Sequence, residues 1–332
     1  SEPVAPAGTF TYTFTVTEAG TFWYHPHFDT DHQVSRGLYG AFIVEDPTEP
    51  VPDEDLLLVI SDWYLGEEAE STELLAGDHQ AAEGTWTVNG QVQPTLTVAG
   101  GSTLRVRAIN VSNHSYLDLR WPDIRLLGTD QGIGSALSQP EGVLLSSGDR
   151  MEAEWLIGEE GFSLLDAPYV HQGGTAWGEP EVLMAVEVSA PASAPAGLSW
   201  PFSGLEPSED PGQTDITYVF TGSRESGVWL MNGAVFPDVD IDTVDLGNSA
   251  IIEVRNLSPA EHPYHLHGMH FEVLSIDGVP PAGRQVEDTI NVGIYSVVRL
   301  RLVADNPGDW MSHCHILPHA EGGMMTVLRV NP

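Results

Sequence analysis

The stretch Thr9-Phe10-Thr11-Tyr12-Thr13-Phe14-Thr15-Val16 changes character at every residue. Alternating β-branched and aromatic residues suit a half-buried strand and no amphipathic helix. Similar short runs recur at residues 21–27, 38–45, 56–62, 85–88, 95–98, 104–110, 115–121, 150–157 and 181–189. Turn residues such as Glu18-Ala19-Gly20 and Asp46-Pro47 punctuate them, at spacings near those of sandwich proteins. Long helical periodicity is missing throughout. The expectation is an all-β chain built from tandem Greek-key sandwiches. With 34 Gly and 24 Pro among 332 residues, the composition is globular and turn-rich, which speaks against disorder and collagen. No run approaches the length of apolar sequence a membrane helix needs, so no membrane span is expected.

A linker rich in Pro, Ala, Ser and Gly covers residues 191–212, and a weaker boundary follows Asp46-Pro47. These cuts give residues 1–50 as the C-terminal part of a first domain, 51–190 as a second and 213–332 as a third. Residues 1–46 supply about three strands, too few to bury an apolar face on their own.

Acidic residues outnumber basic ones 48 to 12, all 12 basic residues are Arg, and the formal charge is -36. Such a surface repels a phosphate backbone, so nucleic acid is excluded as a partner. Cationic ligands, metal ions included, are attracted. A saline habitat or a compositional bias accounts for the acidity as readily as substrate steering does. The single cysteine, Cys314, permits no intrachain disulfide.

The 13 histidines are not scattered. Chance placement would give about 0.5 His-x-His pairs, and the chain has three: His25/His27, His265/His267 and His313/His315. In a strand, residues two apart share a face, so each pair presents two imidazoles together. The pair His313/His315 flanks Cys314, and an extended tripeptide sends its two imidazoles to one face and its thiolate to the other. Beyond it come His319 and Met324, and upstream lies His262-Pro263-Tyr264-His265-Leu266-His267-Gly268. Thiolate, imidazole and a weakly held thioether form the soft ligand set that selects copper in a blue electron-transfer site. His32, His79, His114, His171 and His270 match no such spacing and read as surface or locally hydrogen-bonded residues. Glu287 and Asp288 sit in a loop-like stretch where substrate contact is conceivable without a motif behind it.

These stretches resemble the multicopper oxidase family, which includes laccases. The matching segments are Trp23-Tyr24-His25-Pro26-His27, Gly37-Leu38-Tyr39-Gly40, His262 to His267, and His313 to Met325. Residues 88–94 and 105–110 look like the second cupredoxin domain of three-domain members. The resemblance implies cupredoxin-like sandwiches, with Cys314, His262, His319 and axial Met324 binding a type 1 copper. It implies His265 for type 2 copper, and His25, His27, His267, His313 and His315 for the type 3 pair. Electrons from a small reducing substrate (phenol, aromatic amine or metal ion) would pass through Cys314 and its flanking His313 and His315 to the trinuclear cluster. Dioxygen would be reduced there to water, by a secreted or periplasmic enzyme.

Two departures stand out. Ala320 follows His319 where several family members carry an acid, with Glu321 one place on. The family's first His-x-His motif is also missing, which leaves six of eight expected cluster ligands. Three explanations compete: an upstream segment outside this chain, a second chain that completes the first domain, or a degenerate member. The last would act as a type 1 electron-transfer or copper-binding protein with an incomplete cluster.

Overall fold

The computed structural model describes residues 4–64, 84–169, 179–190 and 194–332. His79 and His171 lie outside the described residues. The all-β expectation holds: the described residues form five sheets and two one-turn helices, α1 (Thr30–Val34) and α2 (Leu317–Glu321).

Strands Gly20–Tyr24 and Gly40–Val44 form a two-stranded antiparallel sheet, with α1 in the connection between them. The middle of the chain folds as two five-stranded sheets. One runs Thr85–Val88, Glu54–Trp63, Thr103–Asn110, Arg150–Leu156, Arg125–Thr129. The other runs Thr95–Val98, Glu181–Val188, Phe162–Ala167, Leu117–Arg120, Val143–Leu145. Their apolar faces enclose one core, which includes Leu58, Ile60, Val106, Leu117, Trp155 and Leu164. The last part repeats this plan with a six-stranded sheet and a five-stranded one around a second core. In the five-stranded sheet, Gly308–Cys314 lies between Met325–Asn331 and His262–Leu266.

Both sandwiches turn the same corner. Asn110 donates to the carbonyls of Ser115 and Leu145, and Asn256 to those of Ala260 and Val292. Each Asn also accepts from a backbone N–H two residues on, at Ser112 and Ser258. An Asn-x-Ser step thus closes each sandwich by Asx-type bonding.

Most expected strands lie within a few residues of observed ones, and one does not form. Residues 9–16 join no sheet, and Phe10, Tyr12, Phe14 and Val16 are 63%, 79%, 69% and 48% exposed. Alternation makes a segment suited to a ladder but supplies no partner, and none of the described residues pairs with it. The strands Arg125–Thr129, Val143–Leu145 and Phe162–Ala167 escape the pattern because they are short or carry two apolar residues in a row.

Candidate metal centres

Strand parity sorts the donors. His262–Leu266 pairs antiparallel with Gly308–Cys314, so that Tyr264 faces Cys314 and His265 faces His313. Side chains alternate across the sheet, so His262, Tyr264, Leu266 and Cys314 point into the sandwich core. His265, His267, His313 and His315 point the other way. There the strand Gly20–Tyr24 delivers His25 and His27 from the first part of the chain.

Inside the sandwich, Cys314 Sγ lies 3.6 Å from His262 Nδ1 and 3.7 Å from His319 Nδ1, and the two nitrogens are 3.2 Å apart. A triangle of these edges has its centre about 2 Å from each corner, near metal–imidazole bond length. All three side chains are buried. The Trp229 ring stands 5.1 Å from His262 and 4.9 Å from His319. Ser258 Oγ is 2.8 Å from His262 Nε2 and 3.0 Å from the Ala260 carbonyl. The hydroxyl donates to the carbonyl and accepts from Nε2–H, which leaves the Nδ1 lone pair facing Cys314. Met324 is fully buried in the same core, and its carbonyl accepts the Cys314 N–H at 3.2 Å. Helix α2, with Pro318 in its first turn, carries His319 back toward Cys314.

On the opposite face the six paired histidines converge. Ring centroids are 4.6 Å apart for His25/His27, 4.7 Å for His27/His267, 4.8 Å for His265/His267 and 5.1 Å for His267/His313. His315 lies 5.5 Å from both His25 and His265. His267 Nε2 and His313 Nε2 are 3.0 Å apart, and the donor atoms of His27, His267 and His313 lie within 4.8 Å of one another. Nδ1 of His25, His265 and His313 donates to the carbonyls of Pro26, Asp288 and Cys314 at 3.0, 2.9 and 2.8 Å. His315 Nδ1 is 3.1 Å from Ser147 Oγ. Four rings are therefore fixed as Nδ1–H tautomers with Nε2 free for a metal. The sandwich centre offers Nδ1, the cluster Nε2.

Protonation agrees. Burial lowers His25 to about 4, His27 to about 3 and His262 to about 3. Burial, with repulsion from neighbouring imidazoles, takes His267, His313, His315 and His319 well below the ordinary value. These rings are neutral at pH 7, the form that ligates metals. Burial pushes the Cys314 thiol far up, so the thiolate forms when a bound cation displaces the thiol proton. Imidazoles that face one another with their unbonded nitrogens turned inward are a donor set that fits soft or borderline metal ions.

Sequence reasoning missed several surrounding residues. Asp288 is buried beside His265, and its carboxylate forks onto Arg150 at 2.6 and 2.7 Å. Glu287 is buried too, accepting from Thr129 Oγ1 and the Asp130 N–H. His270 bridges Glu18 at 2.9 Å and Asp288 at 3.8 Å, and it lines a 340 Å³ cavity with His25, His27, His265, His267 and His315. His114 is buried against Tyr64, while His32 is exposed as expected. Glu321 accepts the Asp31 N–H at 3.2 Å and so ties α2 to α1. None of these carries a spacing signal, because each acts from a different part of the chain.

Two family models described as multicopper oxidase match the chain, one over residues 207–332 and one over residues 1–49. A curated multicopper oxidase of Mycobacterium tuberculosis, MmcO, is 27% identical over 98% of this chain and 72% of its own length. Laccase-4 of Trametes villosa is 26% identical over 98% and 73%. Among solved structures, a multi-copper oxidase of Pseudomonas thermotolerans aligns with TM-score 0.83 and 28% identity, covering 99% of this chain and 80% of that one. The multicopper oxidase of Campylobacter jejuni, a metallo-oxidase, aligns with TM-score 0.80 and 28% identity over 95% and 72%.

Proposed function

We infer the chemistry from the premise that this chain belongs to the multicopper oxidase family: it is a copper oxidoreductase that couples one-electron oxidation of a small reducing substrate to reduction of dioxygen to water. The reducing substrate is a phenol, an aromatic amine or a metal ion. The proposal assigns Cys314, His262, His319 and Met324 to the type 1 copper, and His265 to type 2. It assigns His25, His27, His267, His313 and His315 to type 3. It extends to a secreted or periplasmic place of work.

One observation carries this reading. A single tripeptide, His313-Cys314-His315, belongs to both donor groups, which lie back to back across one sheet. Copper at these donors supplies one-electron redox change at the Cys314 centre and dioxygen reduction at the cluster. The chain's part is to hold the thiolate dry in the sandwich core and to connect it covalently to His313 and His315. It also gathers six imidazoles around one space, four of them held by Nδ1 so that Nε2 is free. Copper-loaded protein is expected to be intensely blue, and Cys314→Ser to bleach it while the histidine cluster keeps its non-blue copper signal. Blue colour that survives the substitution refutes the assignment.

The histidine cluster borders a groove of 1220 Å³ walled by Tyr12, Phe14, Val16, Phe42 and Met269, with His25 and His27 in its side. Phe42 and the 9–16 segment expose apolar rings there. This supports a cover of further strands, from an upstream segment or a second chain, that brings the remaining two imidazoles. Elemental analysis is expected to give fewer than four coppers for this polypeptide alone, rising when the covering segment is supplied. Four coppers and full oxygen uptake without it overturn this part.

A further inference from the structure

Arg150, on the first residue of a strand in the middle sandwich, is 2% exposed. A guanidinium has five N–H donors in a fixed fork, and here all five are spoken for. Nε donates to the Thr21 carbonyl at 3.0 Å. The two terminal nitrogens grip Asp288 through both carboxylate oxygens, at 2.6 and 2.7 Å. Their remaining donors reach the carbonyls of Gly148, at 3.4 Å, and Asp130, at 3.2 Å. The Phe22 ring stacks over the cation at 5.7 Å.

Three of these four acceptor residues lead to three different histidine pairs. Thr21 and Phe22 belong to the strand that runs into His25 and His27. Gly148, at φ +93°, presses against the His315 ring so closely that a Cβ would sit 2.8 Å from it. Its neighbour Ser147 bonds that ring's Nδ1 at 3.1 Å. Asp288 gives its carbonyl to His265 Nδ1 at 2.9 Å, beside Thr289 Oγ1 at 3.0 Å. The three pairs come from separate parts of the chain, at residues 25–27, 265–267 and 313–315, and the middle sandwich carries no His-x-His pair of its own.

We propose that Arg150 is the positioning residue of the histidine cluster, a single buried guanidinium that holds the three His-x-His segments in register. It acts through Asp288, Gly148 and Thr21 rather than on any reacting atom. This gives the copper-free middle sandwich a task in the reaction: it brings the anchor to which the other two parts dock. The proposal rests on the ligand assignment above and deepens it. Arg150→Lys keeps the charge but loses the planar fork, and Arg150→Gln loses both.

The test compares wild type, Arg150→Gln, Arg150→Lys and, as control, Arg125→Gln. Arg125 is paired with Glu154 at 2.8 Å in the same sheet and, among the described residues, makes no hydrogen bond to the histidines. In the copper-loaded proteins, Arg150→Gln is expected to keep the blue colour of the Cys314 centre. It should shift the non-blue copper signal in electron paramagnetic resonance and lower oxygen uptake at least about tenfold. Arg150→Lys is expected to fall between the two, and Arg125→Gln to leave colour and signal unchanged. In the copper-free proteins, ¹⁵N-histidine NMR is expected to show His265 leaving its Nδ1–H tautomer in Arg150→Gln alone. An unchanged non-blue signal and tautomer in Arg150→Gln overturn the proposal, as does parallel loss of blue colour and cluster in both Arg150 variants. A wild type that never turns blue sinks the ligand assignment instead, and the tautomer measurement still decides on Arg150.

Discussion

Ser258 and Ser147 show how a hydroxyl settles which nitrogen of a histidine is left for a metal. Each gives its proton to a carbonyl and takes one from an imidazole, Ser258 from Nε2 of His262 and Ser147 from Nδ1 of His315. The two rings therefore present opposite nitrogens to their centres. Burial that keeps such rings neutral also makes the metal-free protein sensitive to acid. His262 titrates at about 3 in the folded chain because it is buried, against an ordinary value near 6.5. The unfolded chain therefore takes up a proton, as pH falls below 6.5, that the folded chain refuses down to about 3. Stability is present above that window and is lost on descent through it. His262 alone is expected to remove about 2 kcal/mol between pH 7 and pH 5. Urea unfolding of copper-free protein at the two pH values measures the loss, and His262→Gln should remove this share of the slope. An equal slope in wild type and variant contradicts the expectation.

Elements were legible where one stretch of chain carries its own signal. Thr95–Val98 and Thr85–Val88 have the bounds read from the alternating pattern. The three His-x-His pairs lie at one place because strand parity is a local property. Residues 9–16 show the limit: their alternation is the strictest in the chain, yet they pair with nothing among the described residues. A strand is a relation between two segments, and period describes only one of them. The repeated corner at Asn110-Val111-Ser112 and Asn256-Leu257-Ser258 was too short to stand out in sequence. It becomes visible once both Asn side chains are seen to make the same bonds. The same superposition of corners sets His262, four residues after Ser258, against Tyr116, four after Ser112. Arg150 and Asp288 were illegible for another reason, since their ties join partners 129 and 138 residues apart.

The charge of the whole molecule acts on what approaches it. Of the 12 arginines, Arg105, Arg107 and Arg150 are 4%, 2% and 2% exposed, so their charge is spent on internal carboxylates such as Glu152 and Asp288. Fewer cations are left at the surface than composition suggests, and the field outside is set by unpaired acids within a formal charge of -36. The Cys314 centre lies under this surface in the last sandwich, and donors must come close enough to pass an electron to it. Over distances beyond a Debye length, about 8–10 Å at ordinary salt, the field is screened, and at low salt it reaches further. It raises the encounter rate of cations and lowers that of anions, with no effect on the chemistry once a donor is seated. At low ionic strength a cationic aromatic amine is therefore expected to be oxidised faster, in kcat/KM, than a sulfonated dye of similar potential. Added salt should slow the first, quicken the second and bring the two rates together, while kcat for each changes little. Steady-state oxygen uptake across a salt series measures both. A sulfonated donor that is the faster at low salt, or a rate ratio indifferent to salt, would mean that the entry site is governed by local contacts and that the acidity serves the protein's solubility alone.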